Sequence, residues 1–84
     1  MSEYNIHGLK FVQTCSSCPE QYDVYDTFRK IGYLRLRHGI FRCEDSIGNV
    51  LWESDPPNCD GSFSSEEQRV KYLNISAKLI KNYQ

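Results

Sequence analysis

The stretch IGYLRLRHGIFRCED, residues 31–45, constrains the fold of this chain more than any other. Apolar and charged side chains alternate on both sides of His38-Gly39, which is the period of a β-strand. Glycine accepts the positive φ that a two-residue hairpin turn requires, so we place a turn at His38-Gly39. The sequence therefore predicts an antiparallel β-ribbon near the middle of the chain.

The turn also fixes the register of this ribbon. The predicted cross-strand pairs are Arg37 with Ile40, Leu36 with Phe41, Arg35 with Arg42 and Leu34 with Cys43. Side chains directly opposite each other share a face of the sheet, so one face is apolar and the other is basic. The apolar face carries Leu34, Leu36, Phe41 and Cys43. The basic face carries Arg35, Arg37 and Arg42.

Shorter β-prone segments flank the ribbon. Leu9 to Thr14 and residues 21–26 (QYDVYD) are rich in aromatic or β-branched residues, and Val50 to Glu53 contains the tryptophan. Residues 27–30 and 46–49 are predicted to be turns or loops, and residues 54–62 (SDPPNCDGS) a longer loop. Because the connections are short, these segments predict an antiparallel sheet of about four strands.

The sequence period changes to that of a helix after this loop. Ser64 and Glu67 have the spacing of a capping box, and acidic residues follow in the first turn. We therefore predict a helix from about Ser65 to Asn82. The predicted fold class is α+β, with one C-terminal helix packed on a face of the sheet. Residues 1–84 are expected to form a single domain, because a chain of 84 residues is too short for two cores.

The predicted helix has two apolar stripes. The first consists of Val70, Leu73, Ala77 and Ile80, which can pack on the apolar face of the ribbon. The second consists of Tyr72, Ile75, Leu79 and Tyr83. Two hypotheses remain for the second stripe. Either the N-terminal segment with Tyr4, Ile6 and Leu9 covers it, or it is an oligomer face that contacts a second copy in a homodimer or another protein.

Composition excludes two classes of partner at the level of the whole chain. The formal net charge is −1, so there is no global basic field that attracts nucleic acid. No apolar run approaches the roughly 18 residues of a membrane span, so no membrane partner is expected. The N-terminus lacks the pattern of a signal peptide, and we expect a cytoplasmic chain with reduced thiols.

Four cysteines raise the question of a metal. Cys15 and Cys18 have the C-x2-C spacing of a zinc knuckle, and Cys43 and Cys59 would complete a four-thiolate zinc site. His7 or His38 would be substitute ligands. Two alternatives stay open: ordinary reduced thiols, or a disulfide or redox role. The redox alternative is disfavoured because Pro19 and a strand follow Cys18, where a reactive dithiol needs a helix N-terminus. Zinc is the predicted cofactor.

No set of residues predicts catalysis. Neither of the two histidines, His7 and His38, belongs to a recognisable pattern of nucleophile and base. No glycine-rich phosphate loop occurs. We therefore expect a protein that is not an enzyme.

The basic face is the predicted partner-binding site, formed by Arg35, Arg37 and Arg42 with Tyr33 beside them. Such a surface can bind an acidic protein, because arginine is favoured at interfaces. It can also grip phosphates, with Tyr33 stacking on a base. A third hypothesis is that Asp23 and Glu44 neutralise the arginines across the strands.

Three blocks of the sequence resemble small proteins of phages and bacterial mobile elements. They are TCSSCPEQYDVYD (14–26), GYLRLRHGIFRCE (32–44) and DGSFSSEEQRVKYL (60–73). The group that they resemble includes anti-defence proteins such as anti-CRISPRs. The resemblance implies a compact inhibitor that binds a bacterial defence nuclease, such as a CRISPR effector nuclease, in the cytoplasm of a bacterial host. The rival hypothesis is a small nucleic-acid-binding regulator that uses the same basic face.

Overall fold

The structure, a computed structural model, describes residues 3–16 and 19–82. Within these two ranges the chain forms six β-strands followed by one α-helix. In chain order the elements are β1 (Glu3–Ile6), β2 (Leu9–Ser16), β3 (Glu20–Asp26), β4 (Arg29–Arg37), β5 (Ile40–Asp45), β6 (Val50–Ser54) and α1 (Glu66–Asn82).

The strands form one antiparallel sheet in the order β1-β2-β3-β4-β5-β6. Each strand pairs with the next one along the chain, as short connections favour. The predicted α+β fold with one C-terminal helix is confirmed. The predicted number of about four strands is wrong, since the described ranges contain six. Strand β1 was not predicted at all.

The ribbon at His38-Gly39 has the predicted register. Both turn residues have positive φ, 54° and 76°, as a type I′ hairpin requires. The four predicted pairs between β4 and β5 are all present. A second His-Gly turn joins β1 to β2, with φ values of 53° at His7 and 79° at Gly8. The turn between β3 and β4 consists of Thr27 and Phe28, with a φ of 60° at Thr27.

One face of the sheet forms the hydrophobic core with the helix. Its fully buried side chains include Phe11, Tyr22, Val24, Leu34, Leu36, Phe41 and Cys43. The helix contributes Leu73, Ala77 and Ile80. Helix α1 contacts β1 at one edge of the sheet and both β5 and β6 at the other edge. The sheet therefore curves around the helix, and its opposite face is the convex one.

A glycine allows the closest approach of helix and sheet. A Cβ atom at Gly32 of β4 would lie 2.7 Å from Cδ1 of Ile80 and 3.2 Å from the carbonyl oxygen of Glu44. Both distances are shorter than van der Waals contact, so the packing at this point depends on the missing side chain.

The helix begins with a cap one residue later than predicted. Ser65 Oγ accepts a hydrogen bond from the Gln68 N–H at 3.1 Å. The Gln68 side chain in turn accepts one from the Ser64 N–H at 2.9 Å. The predicted partner of Ser64, Glu67, is exposed and does not take this role. The pair that caps the helix is therefore Ser65 with Gln68, a capping pattern of the same type.

The second apolar stripe is not an open face. Tyr72 is buried, and its ring centroid lies 5.5 Å from those of Trp52, Phe41 and Phe63. The prediction that Tyr72 belongs to an oligomer face is therefore wrong, because its side chain packs inside this chain. Ile75 and Leu79 are half-buried, and Tyr83 lies outside the described residues.

The N-terminal segment packs on the core as edge strand β1, but Tyr72 of the second stripe is covered from the opposite edge by Trp52 of β6 and not by this segment. Tyr4 and Ile6 pack against the core, Leu9 is buried, and the Tyr4 hydroxyl donates to Glu66 of the helix at 2.9 Å. Lys81 donates to the His7 carbonyl at 2.9 Å near the other end of the helix. The N-terminal segment therefore runs along the helix within the same chain.

No helix in the part of the chain that the structure describes has both the length and the apolar character that a membrane crossing requires.

Candidate binding face of the sheet

The convex face of the sheet, which we call the outer face, carries every arginine of the predicted binding site. Its central residues on strands β2 to β6 are Val12, Asp23, Tyr33, Arg35, Arg37, Arg42, Glu44 and Glu53. Helix α1 packs on the opposite face of the sheet. Within residues 3–16 and 19–82, no helix or strand is stacked on the outer face. Side chains alternate between the two faces along β4 and β5, and this alternation brings the predicted arginines together on an open surface.

One row across the outer face explains its electrostatics. Gln21 of β3 lies opposite Arg35 of β4, Arg35 lies opposite Arg42 of β5, and Arg42 lies opposite Glu53 of β6. Two like charges therefore face each other in the middle of the row, an arrangement that destabilises a sheet. The one carboxylate of the row lies beside Arg42, while Arg35 has a neutral amide on its other side.

Ion pairing on the outer face is correspondingly uneven. Arg42 binds Glu53 through Nη2 at 2.7 Å and Nε at 2.8 Å. The Oε2 atom of Glu44 lies 3.9 Å from Nη1 of Arg42. Neither Arg35 nor Arg37 forms an ion pair with any residue that the structure describes. The neutralisation hypothesis thus applies to Arg42 and fails for the other two arginines.

The three arginines line a single open depression. Its walls are Arg35, Arg37, His38, Ile40 and Arg42, and its volume is about 360 Å³. Ile40 is 49% exposed, so the depression combines guanidinium groups with an apolar side chain. Such a combination is typical of protein interfaces, where arginine contributes both charge and contact area.

Tyr33 lies between the arginines and an ion pair. Its hydroxyl accepts a hydrogen bond from Gln21 Nε2 at 2.7 Å, and Lys30 Nζ lies 5.6 Å from its ring centroid. Lys30 is itself paired with Asp23 at 3.1 Å, so Asp23 does not neutralise an arginine. Burial raises the pKa of Tyr33, although the Arg35 charge acts in the opposite direction. Tyr33 is therefore a neutral, anchored side chain.

The sequence did not indicate Phe28, which is 94% exposed at the turn between β3 and β4. It borders a second depression of about 290 Å³, lined by Lys10, Val12, Tyr25, Thr27 and Phe28. A signal was available, because a large apolar residue at a two-residue turn has no neighbour within the turn to pack against.

The predicted four-thiolate zinc site is not formed by the cysteines that the structure describes. Cys15 lies in β2 opposite Gln21, on the outer face, whereas Cys43 is fully buried in the core on the other face. Cys59 donates to the Pro56 carbonyl at 3.1 Å in the loop before the helix. Cys18 lies outside the described residues. No group of three or more metal-ligating side chains occurs among residues 3–16 and 19–82.

Cys43 lies in the apolar core, where burial raises the pKa of its thiol to about 11. The substitutes His7 and His38 lie in two different hairpin turns. A zinc ion held through Cys15 and Cys18 stays a prediction, for which elemental analysis of the purified protein is the test.

A buried charge cluster is the other group of polar residues that the sequence did not indicate. The Glu20 carboxylate accepts hydrogen bonds from Arg69, the Tyr22 hydroxyl and the Phe63 N–H. Its side chain has no exposed surface. A substrate cannot reach it in this conformation, so we interpret the cluster as structural. Arg69 lies 49 residues from Glu20, which is why sequence spacing gave no signal.

Similarity to known proteins does not add to this geometry. No protein-family model matches the chain, and comparison with the curated proteins and with the solved structures gives no significant match. The resemblance to anti-defence proteins of phages therefore stays a prediction.

Proposed function

We propose that this chain is a non-enzymatic binding protein whose outer face binds an acidic protein surface. The observation that carries the proposal is that Arg35 lies opposite Arg42, and that of these two Arg42 alone has a carboxylate partner among the described residues. In line with the resemblance to anti-CRISPRs, the proposed partner is a bacterial defence nuclease, and binding inhibits it.

The uncompensated charges favour a binding role because they cost stability in the isolated chain. Like charges directly opposite each other in a sheet repel. A carboxylate brought to Arg35 and Arg37 by a partner removes that repulsion and can form bidentate hydrogen bonds with a guanidinium. The repulsion between the arginines in the isolated chain is therefore relieved on binding, which favours the complex.

An acidic protein fits this surface better than a nucleic acid does. Asp23, Glu44 and Glu53 lie on the same face as the arginines, so a continuous phosphate backbone would run past these carboxylates, whereas a compact acidic patch can contact Arg35 and Arg37 alone. The ring of Tyr33 is held between Lys30 and the Gln21 hydrogen bond, so stacking on a base would have to displace them. Patches of mixed charge are the usual pattern of protein interfaces.

The proposal that the chain is not an enzyme is supported by the lining of the depression that the arginines form. The guanidinium groups and Ile40 supply no nucleophile there, and His38, the one imidazole of the lining, has no hydroxyl or thiol beside it among the lining residues. Of the other described thiols, Cys43 lies in the core, and Cys15, although on the outer face, is separated from Arg35 by Gln21 of the intervening strand β3.

The test is a DNA-cleavage assay with a panel of purified CRISPR effector ribonucleoproteins. The wild-type chain should inhibit at least one of them at a one-to-one ratio. The variant Arg35→Glu/Arg37→Glu should lose inhibition, because it turns the attraction to carboxylates into repulsion. The matched control is Lys71→Glu/Lys78→Glu, which changes the net charge equally on exposed positions of the helix.

Two results contradict the proposal. If the arginine variant inhibits as well as the wild type, the outer face is not the binding site. If no effector is inhibited but the chain binds a labelled single-stranded DNA, with affinity that falls steeply as salt increases, the nucleic-acid regulator is the better assignment.

A further inference from the structure

The turn between β3 and β4 presents the most exposed large apolar side chain of the described residues. Phe28 is 94% exposed, compared with 82% for Ile47 and 50% for Val50. An exposed phenylalanine at a hairpin tip leaves apolar surface in water, which costs free energy in the isolated chain. Single exposed apolar residues are common, so the argument needs the backbone and the surroundings of Phe28 as well.

The backbone of this turn is strained. Thr27 has a φ of 60°, in the left-handed region that a β-branched side chain rarely adopts. Hairpin turns with positive φ at the first central position usually have Gly, Asn or Asp there. Retained strain of this kind costs free energy and is concentrated at functional positions. The strain at Thr27 therefore suggests a role for the tip that it supports.

The surroundings of Phe28 are apolar and electrically balanced. The adjoining depression includes Val12 and the ring of Tyr25. Lys10 beside it is paired with Glu3 at 3.9 Å, and Lys30 with Asp23 at 3.1 Å. This end of the outer face thus offers apolar contact with little net charge, in contrast to the end that carries Arg35 and Arg37.

The two ends are far enough apart to fill one interface. Strand β4 runs from Arg29, next to Phe28, to Arg37. Eight steps at about 3.3 Å each give about 26 Å. A standard interface buries about 800 Å² on each partner, a patch about 30 Å across. One partner surface can therefore cover both Phe28 and the arginines.

We propose that Phe28 is the apolar anchor of the interface, inserted into an apolar pocket of the protein that the arginines contact. The inference rests on the proposed function and specifies the partner surface. That surface has an apolar pocket and, about 25 Å away, a cluster of carboxylates. Aromatic anchors in pockets carry most of the binding energy in such interfaces, while the charges set orientation and association rate.

A lipid membrane or a nucleic acid is a weaker partner for this tip. Binding to anionic lipids or to phosphates needs cations that are free to contact them. Here Lys10 and Lys30 have carboxylate partners within the chain, and Arg29, next to Phe28, lies opposite Asp26 across the turn.

The test compares Phe28→Ala with Ile47→Ala by measuring the Kd for the nuclease that the wild-type chain inhibits. Ile47 is the matched control because it is also a highly exposed apolar side chain at a hairpin turn, 82% exposed against 94% for Phe28. Phe28→Ala should weaken binding by at least about tenfold, and Ile47→Ala by less than about twofold. Neither change should lower the melting temperature, because neither side chain is part of the core.

Three other outcomes would contradict this proposal, either in part or in full. If Phe28→Ala binds like the wild type while Arg35→Glu/Arg37→Glu does not, the anchor is wrong and the proposed function stands. If the wild type binds no nuclease, the proposed function falls and the anchor falls with it. If Phe28 is instead required for binding to phosphatidylserine vesicles or to single-stranded DNA, the partner is not a protein.

Discussion

The Arg69 guanidinium donates a hydrogen bond to the Glu20 carboxylate, with 2.6 Å between Nε and Oε2. Glu20 is the first residue of strand β3, and Arg69 lies near the start of helix α1. The carboxylate also accepts from the Tyr22 hydroxyl at 2.5 Å and from the Phe63 N–H at 3.0 Å. One fully buried charge therefore holds together the sheet, the helix and the loop before the helix.

Replacing this charge should destabilise the fold. Glu20→Gln should lower the free energy of unfolding by about 3 kcal/mol, because Arg69 then loses its buried partner and keeps only the exposed Glu66 carboxylate. Urea denaturation followed by circular dichroism measures the change. The matched surface substitution is Arg42→Gln, which removes an exposed ion pair with Glu53 and should cost less than about 1 kcal/mol. Equal effects of the two substitutions would mean that the cluster is not a structural centre.

A second prediction concerns the helix residue that the sequence suggested for an oligomer face. Tyr72→Ala should lower the free energy of unfolding by about 3–5 kcal/mol, because it leaves a cavity among Trp52, Phe41 and Phe63. The control Val70→Ala, at an exposed position of the same helix, should have little effect. Denaturation and analytical ultracentrifugation separate the two roles. A change in oligomeric state without loss of stability would restore the interface hypothesis.

A third prediction tests the contact between helix and sheet. Gly32→Ala should cost about 1–3 kcal/mol, since the added methyl group overlaps with Ile80 and approaches the Glu44 carbonyl. Ile80→Val removes the Cδ1 atom that lies nearest. Gly32→Ala should therefore cost less in the Ile80→Val background than in the wild type, as a double-mutant cycle measures. An identical cost in both backgrounds would place the strain elsewhere.

Local pattern was sufficient to predict the central part of the fold. Alternation around His38-Gly39 fixed the register of β4 and β5, and with it the positions of all three arginines on one face. The same dipeptide at His7-Gly8 also marks a hairpin. Strand β1 was not predicted because Glu3–Ile6 is too short to have a clear period. Short strands at a sheet edge depend on pairing more than on propensity.

Properties that depend on distant residues could not be predicted from local pattern. Glu20 and Arg69 are a salt bridge only because the helix returns across the sheet. The uneven ion pairing of the outer face depends on Glu53 reaching Arg42 from the next strand. C-x2-C spacing favoured zinc, but spacing does not reveal that Cys15 and Cys43 lie on opposite faces. Tertiary contacts decide each of these features.

The last prediction concerns the buried thiol of Cys43. Burial raises its pKa to about 11 in the folded chain, compared with an ordinary value of 9.0. Between these pH values the unfolded chain releases the proton and the folded chain keeps it, so rising pH should favour unfolding by roughly 2–3 kcal/mol in total. Urea denaturation from pH 8 to 11 measures this loss. Cys43→Ala keeps the other titrating groups and should lose less stability over the same range, whereas parallel pH profiles would mean that the thiol titrates normally.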